Sequence, residues 1–161
     1  MVILLMGVTG SGKTTIGRQL AGELGWGFAD ADQFHPPANV AKMSAGQALD
    51  DADRAPWLDA IRAHLDAQLA ANRNAVVTCS ALKAHYRATL LGDRRQVRLV
   101  YLQGTREVLQ SRLSRRQGHF MPPALLDSQL ATLEEPADAL VIDISPPPGQ
   151  ILAAIRTGLS L

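Results

Sequence analysis

Eight consecutive residues near the start of the chain, Gly7-Val8-Thr9-Gly10-Ser11-Gly12-Lys13-Thr14, follow the spacing G-x-x-x-x-G-K-[ST]. Glycines let the backbone curl until successive N–H groups converge on one anion. A helix opening at Lys13 would add unpaired N–H donors and a partial positive charge. In such a loop the Lys13 ammonium reaches β- and γ-phosphates, and the Thr14 hydroxyl is a hard oxygen ligand for Mg²⁺. Thr15 extends the polar start of that helix. The chemistry this predicts is capture of a nucleoside triphosphate with Mg²⁺, ATP by default, by Gly7 to Thr15. A second chemical feature is the acidic pair of Asp30-Ala31-Asp32. In an extended segment, residues i and i+2 face the same way, so both carboxylates would enter one cleft. Asp30 is then expected to hold Mg²⁺ through a water. Asp32 is expected to take the proton of an attacking hydroxyl. Two such acids also suit a solvated turn, and only their place at a strand end favours the chemical reading.

The elements that would position these groups alternate. Val2 to Met6, Trp26 to Ala29, Ala75 to Cys79, Val97 to Leu102 and Leu140 to Ile144 are short apolar runs. Between them lie helical stretches from about Lys13 to Leu24, Asp53 to Ala71, Leu82 to Leu91, Thr105 to Arg116 and 124 to 133, with a last helix in the tail. Trp57, Ile61, Leu65 and Leu69 recur at spacing four along the longest of these. Residues 34 to 52 read as irregular or partly helical, with Pro36 and Pro37 able to start a helix. Five apolar strands separated by helices predict a doubly wound α/β fold with a parallel sheet, in a single domain over residues 1–161.

Composition narrows the function classes. A net charge of +1 gives no field to draw the chain to nucleic acid or anionic lipid, and aromatic residues do not interleave with basic ones. Met1 to Met6 is far too short to span a membrane. The single cysteine, Cys79, cannot form an intrachain disulfide and fits a reducing, cytoplasmic setting; its expected role is packing. Of 16 basic residues only Lys13, Lys42 and Lys83 are lysine, which marks positions where a compact ammonium could be needed.

Several longer strings resemble the gluconokinase family. They are Met6-Gly7-Val8 into the phosphate loop, Asp30 to Pro36, Asn39 to Met43, Leu49 to Leu58, Cys79 to Arg87, Ser111 to Leu113, Arg116 to Phe120 and Leu133 to Pro136. In order and at compatible spacing they run from residue 3 to about 144, and all three lysines fall inside them. Cys79-Ser80-Ala81-Leu82-Lys83 and Gly118-His119-Phe120 are the specific ones. The chain departs from the pattern at Ala31, where glycine is usual, and at Arg115, Met121, Pro122 and Pro123.

The resemblance implies a fold similar to nucleoside monophosphate and shikimate kinases, with a substrate-binding segment at about 33–58 and a mobile lid at about 115–135. It implies transfer of the ATP γ-phosphoryl group to the 6-hydroxyl of D-gluconate, commonly by a homodimer. For an anionic polyol, His35, Lys42 and Arg54 are suitable binding groups before and within the long helix, as are Ser80, Lys83 and Arg87 after the third strand. Lys83 and Arg87, four apart, are expected on one helix face. Arg112 and Arg116, also four apart, are expected to close over the transferring phosphate, with Arg116 catalytic beside Lys13 and Asp32. His119 suits substrate or phosphate equally. His35 also suits a cap, and Arg54 or Arg87 a surface charge. Rival readings are another small-molecule kinase of the same fold, or a nucleotide-binding switch with no phosphotransfer.

Overall fold

The computed structural model describes residues 1–115 and 123–161. Its centre is a five-stranded parallel sheet in the order β2-β3-β1-β4-β5, where β1 is Val2–Met6, β2 Gly27–Asp30, β3 Ala75–Thr78, β4 Val97–Gln103 and β5 Leu140–Asp143. β1 pairs in parallel with β3 on one side and β4 on the other, which places the turn after Met6 at the middle of the sheet's C-terminal edge. Chain direction changes there from one half of the sheet to the other, and ligands of open α/β sheets bind at such a point.

Every residue of β1 is buried, because helices cover both faces. The pleat sends Val2, Leu4 and Met6 into one core with Trp57, Ile61 and Leu65 of α3 (Asp51–Ala70) and Leu90 of α4 (Ala84–Leu91). Ile3 and Leu5 enter the opposite core with Ile16 and Leu20 of α1 (Lys13–Leu24) and Ile151 and Ile155 of α7 (Pro148–Leu159). The remaining helices are α2 (Pro37–Ser44), α5 (Arg106–Ser114) and α6 (Pro123–Thr132). Pro36 and Pro37 do open a helix, as N-cap and first residue of α2. Among the described residues, no helix is long and apolar enough to cross a membrane.

Two helix starts differ from the sequence expectation. α3 begins at Asp51, because Asp50 caps it in a reciprocal box: Asp53 N–H donates to Asp50 Oδ1 at 2.7 Å and Asp50 N–H to Asp53 Oδ2 at 3.0 Å. α4 begins at Ala84, with Lys83 as an extended N-cap. Lys83 is therefore outside the helix and does not share a face with Arg87.

Candidate active site

The phosphate loop forms as its glycines require. Gly7 lies so close to Ser11 and to the Leu102 carbonyl that a Cβ would come within 2.7 Å of Ser11 Oγ. Gly12 caps α1 at φ +89, a left-handed conformation that a larger residue resists. The Lys13 ammonium donates to the Val8 carbonyl at 3.0 Å, folding back over the loop. Arg112 of α5 reaches the same loop, with one Nη1 donating to Ser11 O at 3.3 Å and Nη2 donating to Ile144 O. A guanidinium thus stands at the loop's rim, held by two backbone carbonyls. Arg116 and His119 lie outside the described residues.

A cleft of about 210 Å³ opens beside the loop, lined by Thr9, Gly10, Gly12, Lys13, Thr14, Asp30, Asp32, Thr78, Cys79, Ser80 and Gln129. Both aspartates face it, but not because both are extended. β2 ends at Asp30, whose carboxylate accepts from Asp32 N–H at 3.2 Å and caps a short 3-10 turn over Ala31–Phe34. The turn, not a pleat, presents Asp32. Ala31 points away into the core, and Trp57 Nε1–H holds its carbonyl at 2.8 Å. Thr14 Oγ1 donates to Asp30 Oδ2 at 2.8 Å.

This Thr14–Asp30 oxygen pair suits Mg²⁺, which keeps most of its waters and takes few protein ligands beside phosphate oxygens. Among the described residues, no cluster of three or more His, Cys, Asp or Glu offers a closed metal cage. Thr78 lines the cleft floor, and its buried hydroxyl has no hydrogen-bond partner among the described residues. It is available to a bound water or ligand oxygen.

Its surroundings set the basicity of Asp32. The protein packed around Asp32 raises its pKa above 3.8, and the neighbouring Asp30 carboxylate pushes the same way; His35 and Lys13 oppose them. The Asp32 side chain lines the cleft and remains open to solvent. Burial lowers the His35 pKa from 6.5, Asp32 counteracts, and Arg54 adds to the lowering, which keeps the imidazole neutral at pH 7. That ring stacks on Trp57 with centroids 4.6 Å apart. Cys79 is buried just after β3, and burial pushes its thiol up to about 12, which suits packing.

The remaining residues proposed for substrate divide into two groups. Ser80 lines the cleft. Arg54 and Lys83 flank the ring of Tyr86, at 5.8 and 5.5 Å from its centroid, and Arg54 Nη1 donates to the Tyr86 hydroxyl at 3.1 Å. Asp51 receives Lys83 Nζ at 2.9 Å and the Tyr86 hydroxyl. One cation from α3 and one from the residue that caps α4 are thereby brought to one place. Lys42 pairs with Asp53 at 2.6 Å, tying α2 to the start of α3; like His35, Arg54 and Lys83, it does not line the cleft.

Arg87 differs most from its expected role. It is only 6% exposed, and its Nη1 donates to the carbonyls of Ala81 at 2.9 Å and Leu82 at 3.0 Å. Ala81 has φ +46, an unfavourable conformation for alanine, so Arg87 fastens a strained turn just after Ser80. It holds this turn through its backbone and does not line the cleft. Sequence reading also missed Gln129, Thr78, Asp51 and Tyr86. The last two lie within strings that carried the family resemblance, whereas Gln129 has no motif to mark it.

With this geometry in place, known proteins supply the family. A shikimate kinase family model matches residues 9–139. A gluconokinase of Gluconobacter oxydans is 54% identical over 84% of this chain and 76% of its own length. The thermoresistant gluconokinase of Escherichia coli is 40% identical over 95% of this chain and 90% of its own. Among solved structures, a gluconokinase from Sinorhizobium meliloti superposes with a TM-score of 0.86 at 40% identity, covering 99% of this chain and 91% of that one. A shikimate kinase from Bacteroides thetaiotaomicron, at 18% identity and TM-score 0.71, shares the fold. The chain is a P-loop kinase built on the shikimate kinase domain, and it belongs to the gluconokinase family.

Proposed function

We infer that this protein transfers the γ-phosphoryl group of ATP to the 6-hydroxyl of D-gluconate, giving 6-phosphogluconate and ADP. The observation that carries the reading is the meeting of Lys13 and Asp32 in one cleft, within a chain 54% identical to a gluconokinase. Asp32 is the base. As its carboxylate takes the proton of the 6-hydroxyl, that oxygen forms a bond to the γ-phosphorus. The bond from phosphorus to the β,γ-bridging oxygen breaks, and ADP departs with that electron pair. Neighbouring Asp30 and crowding protein make the Asp32 carboxylate a stronger base than an ordinary one.

Gly7 to Thr15 hold the triphosphate, Lys13 neutralises charge on its outer phosphates, and Arg112 adds a cation at the loop rim. Thr14 and, through water, Asp30 would hold Mg²⁺, which supplies charge neutralisation on the phosphate oxygens. Arg116 is proposed as a further catalytic cation and His119 as a substrate contact. Gluconate needs a cation for its carboxylate and polar groups for its hydroxyls. The Arg54–Lys83 pair around Tyr86 and the neutral His35 suit these tasks, with Ser80 at the cleft wall and Lys42 and Arg87 holding the substrate segments around them.

The working protein is proposed to be a cytoplasmic homodimer; its single, buried cysteine agrees with a reducing setting. A coupled assay of ADP release tests the function across gluconate, shikimate, nucleoside monophosphates and other sugar acids. Turnover is expected to be highest with gluconate. A preference for shikimate or a monophosphate would refute the substrate assignment, and no turnover with any acceptor would favour a nucleotide-binding switch.

A further inference from the structure

The peptide group between Val8 and Thr9 is held at both ends. Its carbonyl accepts from Lys13 Nζ at 3.0 Å, and its N–H donates to Gln129 Oε1 at 2.6 Å. Only the oxygen of a side-chain amide can accept from an N–H, so chemistry fixes which way Gln129 is turned. Gln129 belongs to α6, 120 residues away from Thr9, and lines the cleft that Lys13, Asp30 and Asp32 share. Hydrogen bonds that run through one peptide polarise each other, so the amide and the ammonium reinforce one arrangement of the loop. Arg112 holds the next turn of the loop through Ser11 O. The segment that meets the outer phosphates is therefore braced from α5 and α6 together.

We propose that Gln129 is a positioning residue for the phosphoryl donor: by clamping the Val8–Thr9 peptide it sets where the Lys13 ammonium stands, and so favours a nucleotide that carries a γ-phosphate. The proposal rests on the reading of Gly7 to Thr15 as the ATP loop. Gln129 need not touch ATP to act in this way. Its effect passes through the peptide to Lys13, the group that meets the β- and γ-phosphates in a loop of this sequence.

The test is Gln129→Met, which keeps length and volume but removes the amide acceptor. Calorimetry with Mg²⁺ measures binding of ADP and of a non-hydrolysable ATP analogue to wild type and variant. The analogue is expected to bind about tenfold more weakly, the scale of one lost hydrogen bond, while ADP, which presents only its β-phosphate to Lys13, weakens by no more than about threefold. Turnover should fall about tenfold or more, with the gluconate KM within about twofold. Equal weakening of both nucleotides, or of neither, would overturn the proposal. A role limited to folding would lower Tm and leave the ratio of the two affinities unchanged.

Should the variant not fold, wild-type protein still decides. The Thr9 amide must be protected from hydrogen exchange in the nucleotide-free protein, and rapid exchange there overturns the clamp. A wild type that binds neither nucleotide overturns the ATP-loop reading and this proposal together.

Discussion

At the scale of single residues, the proposed reaction depends on Asp32 being a carboxylate that is easier to protonate than most. For Asp32→Asn, kcat should drop by at least a hundredfold, about 2.7 kcal/mol in activation free energy, with the KM for ATP nearly unchanged. A loss within about threefold would remove Asp32 as the base. In the wild type, kcat/KM for gluconate should fall on the acid side with a midpoint above the ordinary 3.8, because crowding and Asp30 raise this group. The sign for stability is the reverse of that for activity. A carboxyl whose folded pKa is raised stabilises the fold below its unfolded pKa, and that contribution is lost as pH rises through the folded value. Asp32→Asn should therefore keep or raise Tm at pH 7, measured by thermal unfolding, even as it removes activity.

Arg87 is the opposite case, a buried cation whose work is structural. Arg87→Ala leaves the Ala81 and Leu82 carbonyls without their donor. It should cost about 2–3 kcal/mol in denaturant unfolding. An unchanged stability with a raised gluconate KM would return Arg87 to the substrate-binding set.

At the scale of elements, the segment proposed to bind substrate is fastened by the box that starts α3. Asp53 closes the box with Asp50 and also holds Lys42 of α2, so one carboxylate links two helices. Lys42, first, and the Asp50 backbone keep the Asp53 carboxyl below its ordinary pKa. Its contribution is thus present above the unfolded value of 3.8 and lost as pH falls through the lower folded value. Asp50→Ala, which removes the cap, should cost about 1 kcal/mol and lower Tm by roughly 2–4 °C. Asp53→Ala should in addition raise the gluconate KM severalfold, since α2 loses its tie; an unchanged KM would detach α2 from substrate binding.

These elements also mark how much the sequence could disclose. Five strands were legible because buried parallel strands are continuous apolar runs, and the phosphate loop because its glycines and lysine sit between such a run and a helix. The 3-10 turn at Asp32 was not legible, since it exists through a side-chain cap by Asp30 that spacing alone does not reveal. Lys83 and Arg87 looked like neighbours only if α4 began earlier than Ala84. Gln129 was hidden because its contact with Thr9 spans 120 residues and depends on how α6 packs back over the loop.

At the scale of the whole molecule, the order β2-β3-β1-β4-β5 gathers groups from distant parts of the chain onto one edge. β1 delivers the phosphate loop, β2 the two aspartates, β3 Ser80, α5 Arg112 and α6 Gln129. The aspartates and the phosphate loop come from the ends of β2 and β1, with β3 between them, so a small acceptor and a triphosphate tail can meet across the end of β3. The proposed homodimer is tested by sedimentation velocity of the purified protein, where a single species near twice the 17.3 kDa chain mass is expected and a monomer at all concentrations contradicts it. The central claim, that this cleft moves phosphate from ATP to the terminal alcohol of a sugar acid, is tested most directly by incubating the enzyme with Mg²⁺, ATP and gluconate and following the products by phosphorus NMR. A phosphomonoester on C6 appearing in step with ADP is the predicted result. Phosphate released to water, or an ester at any other carbon, would contradict it.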